Sequence, residues 1–97
     1  MLNQVVLVGR LTRDPELIEL NKCTRIELAV TRSYKNANGE YDTDFIPCYL
    51  YDTLSITTQE YCKKGYAVGI KGVIQSDENG IKLVAEKVSY LTQGRSE

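Results

Sequence analysis

The chain lacks histidine and tryptophan altogether, and its 97 residues include only three cysteines and two prolines. Without histidine, the Ser-His-Asp and Cys-His catalytic arrangements are excluded and the commonest transition-metal ligand is missing. Cys23, Cys48 and Cys62 are odd in number and too widely spaced for a disulfide framework or a three-cysteine zinc site. We therefore expect small buried thiols in a reducing cytoplasm, with no metal, no cofactor and no enzymatic activity.

Long apolar runs are also absent, and none approaches the about 20 residues that a membrane span requires. The first four residues do not open a secretion signal, so no membrane association is expected. The length fits one domain, which we place at residues 1–92, followed by a short polar tail at 93–97. The net charge of −1 argues weakly against polyanion binding. However, the first 35 residues carry six basic and four acidic side chains (6 − 4 = +2), and a local excess can attract phosphates.

Residues 44–51, with the sequence DFIPCYLY, alternate in the way that a β-strand requires. The even positions carry aliphatic or small side chains, and the odd positions carry three rings: Phe45, Tyr49 and Tyr51. Bases of single-stranded nucleic acid stack on such rings without regard to sequence. The alternative use of an aromatic face is packing beneath a second layer or at a subunit contact.

Five strands and one helix are predicted along the chain. The strands are expected at residues 5–9, 25–34, 44–51, 66–75 and 81–91, and the helix at 54–64, after an Asp or Thr cap and before Gly65. Asn-Gly turns at 36–39 and 77–80 join two pairs of strands as hairpins. This order predicts an all-β protein, a five-stranded OB-fold barrel with one short helix between strands 3 and 4. The binding face of that fold is centred on its second and third strands.

Three local features refine this prediction. The first strand is apolar on both faces, so one face should lie in the core and the other against a subunit contact or a helix. Tyr34 has the parity of the buried residues of its strand, so it needs a bulge to join the aromatic side. Gly69 and Gly72 indicate a kink or bulge in the fourth strand, where Lys71 is expected to point outward, opposite Ile70.

Several segments resemble bacterial and phage single-stranded DNA-binding proteins. The opening block, NQVVLVGRLTRDPEL at residues 3–17, is the most specific because it sets a strand, a Gly-Arg pair and an Asp-Pro-Glu turn at fixed spacing. Weaker blocks follow in order: LAVTRSYKN at 28–36, GE at 39–40, DFIPC at 44–48, YCKKG at 61–65 and VGIKG at 68–72. Together they cover nearly the whole chain.

The resemblance implies sequence-independent binding and protection of single-stranded DNA in replication, recombination or repair. It places base-stacking rings at Tyr34, Phe45 and Tyr51, with Tyr49 on the same face in a secondary role. It also implies phosphate-facing charge at or near Arg10, Arg32 and Lys35, to which the outward Lys71 is added. The family assembles as homotetramers, so a tetramer or a dimer is expected, located in the cytoplasm at the nucleoid or in a host cytoplasm.

The chain departs from the family in two respects. The turn at residues 75–81 is tight, acidic and without an aromatic residue, where relatives carry a long hairpin with another stacking ring. The acidic C-terminal tip with which relatives recruit other proteins is not expected here. The acids and the net charge favour an alternative function, that of an OB-fold protein-interaction subunit of a replication or primosome assembly.

Overall fold

The computed structural model describes residues 1–19 and 22–91, which form six strands and one helix. The strands are β1 (Val5–Leu11), β2 (Glu16–Glu19), β3 (Cys23–Lys35), β4 (Tyr41–Tyr51), β5 (Ala67–Asp77) and β6 (Gly80–Tyr90). The helix α1 (Asp52–Tyr61) lies between β4 and β5. The predicted tail at 93–97, and the residue at the end of the predicted 1–92 domain, lie outside the described residues.

The strands close into a barrel. Their order in the sheet is β1-β5-β6-β4-β3-β2, and β1 also pairs with β3, which joins the two sides of the sheet. The five long strands therefore form the predicted OB-fold barrel, with the helix between the third and fourth of them.

The short strand β2 was not predicted. It pairs with the start of β3, opposing Glu16 to Arg25 and Leu17 to Thr24. The pair is supported by an exposed ion pair between Arg25 Nη1 and Glu16 Oε1, at 3.8 Å. Four residues carry too little alternation to signal a strand, so the neighbouring β3 decides this conformation.

The core fills the barrel from one face of each strand. On β4, the predicted apolar side points inward, with Cys48 and Leu50 fully buried and Ile46 packed against the core. Ile26 and Leu28 from β3 and Val68 and Ile70 from β5 meet them there. The three cysteines are free and buried, as expected from the sequence.

The helix begins and ends earlier than predicted, at 52 and 61 rather than 54 and 64. Its N-cap is Tyr51, which has extended backbone and no side-chain cap, so the predicted Asp or Thr cap is wrong. The helix is instead held from its flank, where Ser55 Oγ lies 2.6 Å from Thr24 Oγ1 in a fully buried pair. This tertiary hydrogen bond replaces the missing cap as the local anchor.

Turns and bulges fall where the sequence predicted them. Gly39 and Gly80 adopt φ values of 79° and 117° in the two hairpin turns. The β5–β6 register shifts between Lys71 and Gly72. A Cβ atom on Gly72 would lie 2.2 Å from the carbonyl oxygen of Val84, so only glycine permits this approach of the two strands.

Strand β1 presents two different faces. Val5 and Leu7 pack against the core, whereas Val6 and Val8 are exposed on the outside of the barrel. The exposed residues border an open cleft of about 350 Å³ that is lined also by Gly69, Lys71 and other residues of β5 and β6. Within the described residues, no helix combines the length and the apolar character needed to cross a membrane.

Candidate nucleic-acid interface

The aromatic face is the outward side of β3 and β4 that carries Phe45, Tyr49 and Tyr51. Phe45 is 61% exposed. Its partner across the β3–β4 ladder is Ala29, whose methyl group leaves the ring uncovered. Tyr49 and Tyr51 are half-buried further along the same strand. Within residues 1–19 and 22–91, the rings therefore lie neither in the core nor beneath a second layer.

Tyr34 lies in the bulge that its parity required. The β3–β4 pairing runs regularly to Thr31 and Thr43, and it resumes only at Lys35 and Tyr41. Three residues of β3 thus oppose a single residue of β4, and odd positions of the two strands face each other again after the bulge, so the register alone does not bring Tyr34 to the side of Phe45. Tyr34 is 63% exposed, so a second open ring lies on the hairpin that carries Phe45.

Arg10 belongs to the same outward surface through a row that crosses three strands. It pairs with Ala29 across β1 and β3, and Ala29 pairs with Phe45 across β3 and β4. Directly opposed residues share a face, so the guanidinium and the ring lie on one side of the sheet, with their backbones two strand spacings, roughly 10 Å, apart. Arg10 Nη1 donates a hydrogen bond to the Gly65 carbonyl at 2.9 Å.

Arg32 is held by two carboxylates. Its Nε and Nη2 donate to Asp44 Oδ2 and Oδ1, both at 2.9 Å, and its Nη1 lies 3.7 Å from Asp42 Oδ2. The hydrogen bond to Asp44 raises the pKa of Arg32, and Arg32 in turn lowers the pKa of the Asp44 carboxyl group. The predicted phosphate contact is thus occupied by acids of the chain itself.

The two predicted lysines lie in different places. Lys35 Nζ is 5.8 Å from the centroid of the Tyr41 ring, near the tip of the β3–β4 hairpin and close in sequence to Tyr34. Lys71 pairs with Val6 of β1 and Lys87 of β6. It therefore lies on the outward face of β1, β5 and β6, and the structure does not bring it to the aromatic face.

Two cations of the aromatic face were missed by the sequence reasoning. Arg25 opposes Tyr49 across the β3–β4 ladder. Lys82 Nζ lies 5.2 Å and 5.6 Å from the ring centroids of Tyr49 and Tyr51, and it donates a hydrogen bond to the Tyr51 hydroxyl group at 2.9 Å. Alternation on β3 signals the position of Arg25, but the position of Lys82 depends on the pairing of β4 with β6, which has no local sequence signal.

The geometry thus combines open rings with cations on the second and third long strands of an OB-fold barrel. Comparison with known proteins identifies the family. Residues 2–92 match the sequence profile of the single-strand binding protein family.

The chain belongs to the single-strand binding protein family. Single-stranded DNA-binding protein B of Bacillus subtilis is 41% identical to it over 95 residues, which cover 91% of this chain and 84% of the Bacillus protein. Single-stranded DNA-binding protein 1 of Lactococcus lactis is 47% identical over 79 residues, which cover 78% of this chain and 53% of that protein. Single-stranded DNA-binding protein 1 of Clostridium acetobutylicum is 33% identical over 104 residues, which cover 93% and 94% of the two chains.

The chain therefore spans most of two of these relatives and about half of the third. The family resemblance inferred from the sequence blocks is confirmed over nearly the whole chain. On β3 and β4, the aromatic face is the side left open to a ligand, because the opposite side of these strands packs in the core.

Proposed function

We propose that this chain binds single-stranded DNA without sequence preference and protects it, with no chemical step. The observation that carries the proposal is the open ring of Phe45 in the middle of the aromatic face of an OB-fold barrel. Family membership and the names of the relatives support the choice of ligand.

In the proposed mechanism, an unpaired strand lies across β3 and β4 and stacks bases on Tyr34, Phe45 and Tyr51. Each stacked base contributes about 1–3 kcal/mol. Tyr49 is assigned a secondary role because the family resemblance places stacking rings at the other three positions and not at this one. Double-stranded DNA is rejected because its paired bases hide the faces that the rings require.

Phosphates are contacted by cations around the rings, so that the affinity falls as salt rises. Arg10 and Lys35 are the best placed of the predicted residues, since one shares a row with Phe45 and the other lies one residue after Tyr34. Arg32 contributes when phosphate displaces Asp44. Lys71 contributes only if the strand continues around the barrel to β5.

We further propose that the protein acts as a homo-oligomer, a tetramer or a dimer, in the cytoplasm at the nucleoid or in a host cytoplasm. The exposed Val6 and Val8 beside an open apolar cleft support a subunit contact on β1. The three free cysteines suit a reducing compartment. Replication, recombination and repair are the processes in which such binding would serve.

One observation favours the alternative, a protein-interaction subunit of a replication or primosome assembly. Asp42 and Asp44 lie on the hairpin that carries Phe45 and are paired with Arg32, and acids on this hairpin suit a basic peptide better than a polyanion.

Fluorescence anisotropy with labelled oligo(dT) of increasing length separates the two functions. We expect binding that strengthens with length, weakens with salt and is competed by unlabelled single strands but not by duplex of the same length. Absence of binding to every oligomer at low salt would refute the proposed function and leave the protein-interaction alternative.

A further inference from the structure

Lys82 occupies an unusual position on the outside of the barrel. Its ammonium group lies near the rings of both Tyr49 and Tyr51 and donates to the Tyr51 hydroxyl group. It is brought there from a different part of the chain, because β6 runs parallel to β4 with Cys48 opposite Leu83 and Tyr49 opposite Val84. Without this pairing, the two tyrosines would have no cation from the β5–β6 hairpin.

The ammonium group keeps free hydrogen-bonding capacity. Lysine has three N–H donors, and within the described residues one of them is used for Tyr51. The neighbouring carboxylate, Asp77, has its Oδ2 atom 3.7 Å from Nζ, which is beyond hydrogen-bond distance. The hydrogen bond with Tyr51 raises the pKa of Lys82, so the group stays charged at neutral pH.

Two open clefts meet at Lys82. One, of about 340 Å³, is lined by Cys23, Tyr49, Tyr51, Lys82 and Ile18. The other, of about 220 Å³ and mainly polar, extends from Tyr49 and Lys82 to the tip of the β5–β6 hairpin. A ligand that leaves the β4 rings toward β6 would therefore pass over the ammonium group.

We propose that Lys82 is a phosphate-binding residue that holds the backbone of single-stranded DNA where it leaves Tyr51 and turns toward the β5–β6 hairpin. This inference rests on the proposed function, and it adds a cation and a direction for the strand. The phosphate takes the free ammonium donors and displaces Asp77, while the hydrogen bond to Tyr51 keeps the cation beside the ring that stacks a base.

The competing explanation is that Lys82 only positions the Tyr51 ring. The two roles differ in their salt dependence. Removing one cation that binds a phosphate of single-stranded DNA lowers the steepness of log K against log[salt] by about 0.7, which corresponds to about a fivefold weakening at 0.1 M salt relative to 1 M. Misplacement of the ring weakens binding equally at all salt concentrations.

The test measures oligo(dT) affinity for the native chain and four variants. The NaCl concentration runs over about a tenfold range, roughly 0.05 to 0.5 M, so that the slope of log K against log[salt] can be determined. Lys82→Met removes the charge and keeps the aliphatic stem, and Lys82→Arg restores the charge. Tyr51→Phe removes the hydroxyl partner and keeps the ring. Lys63→Met removes an exposed lysine from the segment between α1 and β5, which lines neither of the two clefts at Lys82. A thermal melt of each variant checks that it is folded, and Lys82→Gln replaces Lys82→Met if that variant fails.

The proposal predicts a slope that is about 0.7 less steep for Lys82→Met and a native slope for Lys82→Arg, Tyr51→Phe and Lys63→Met. An unchanged slope for Lys82→Met overturns the proposal. If Lys82→Met and Tyr51→Phe also lose the same affinity at every salt concentration, the lysine only positions the ring. In both cases the native chain still binds oligo(dT), so the proposed function survives. If the native chain does not bind, the proposed function and this inference both fall.

Discussion

Arg32 and Asp44 form a two-point ion pair across the β3–β4 hairpin, with both N–O distances at 2.9 Å. Asp44 directly precedes Phe45, the most exposed ring of the aromatic face. The pair is exposed, so its contribution to folding is small. Its consequence is for binding, because a carboxylate occupies the guanidinium fork that a phosphate would otherwise use.

Asp44→Asn is expected to strengthen the binding of oligo(dT). The substitution removes one negative charge from the β3–β4 hairpin and frees Arg32 from its two-point ion pair, so the salt dependence should become steeper by about 0.7. Glu60→Gln removes the same charge from an exposed position on α1 and serves as the control. Anisotropy titrations at several salt concentrations measure both effects. Weaker binding by Asp44→Asn would instead mean that the ion pair holds Arg32 in its binding position.

Gly72→Ala is expected to destabilise the fold by roughly 1–3 kcal/mol, because its Cβ would meet backbone atoms of Val84 and Ala85 that cannot move independently. Gly69→Ala is the matched control on the same strand. Its Cβ would make only ordinary contacts, at 3.7 Å or more. Urea unfolding measures the difference, and equal stability of the two variants would contradict the tight β5–β6 approach.

Val6→Glu is expected to reduce the proposed oligomer to single chains in light scattering after gel filtration, since it places a charge on the exposed apolar face of β1. Ile56→Glu makes the same change at an exposed aliphatic position on α1 and should leave the oligomer intact. An unchanged mass for Val6→Glu would move the proposed subunit contact away from β1.

Cys48 makes the stability of the fold decrease at alkaline pH. Burial raises the pKa of its thiol from 9.0 to about 12. Between these values the unfolded chain has lost the proton and the folded chain keeps it, so the free energy of unfolding falls as pH rises, by up to about 1.4 kcal/mol per pH unit. Cys48→Ala should show a shallower decline between pH 9 and 11 in urea unfolding, whatever its stability at pH 7. Identical declines would show that the thiol is not desolvated.

Much of the fold could be predicted from the sequence because its strands alternate strongly and its hairpins carry Asn-Gly turns. The inward side of β4, the bulge near Tyr34 and the irregularity at Gly72 all followed from parity and glycine positions. The strand β2 and the helix ends did not, since a four-residue strand and a helix held by the Thr24–Ser55 hydrogen bond depend on tertiary partners.

The candidate site was predictable in its rings and less so in its charges. Phe45 is open, as alternation indicated, and Tyr34 is open within the expected bulge, whose register does not by itself turn it toward Phe45. The surroundings of the cations depend on cross-strand neighbours. Asp42 and Asp44 form ion pairs with Arg32. The β1–β5 register places Lys71 on another face, and the β4–β6 pairing places Lys82 beside the rings. Such long-range relationships cannot be predicted from any single local stretch of sequence.

The central claim is that the exposed Phe45 ring stacks on an unpaired base. Tyr61 is a matched control, since it is 62% exposed but lies at the end of α1, where its ring contacts Tyr90. Phe45→Ala and Tyr61→Ala are titrated with the same oligo(dT), and their thermal melts are compared with the native chain. We expect Phe45→Ala to lose about 1–3 kcal/mol of binding free energy with an unchanged melting temperature, and Tyr61→Ala to bind as the native chain does. Native affinity in a folded Phe45→Ala protein would contradict the account.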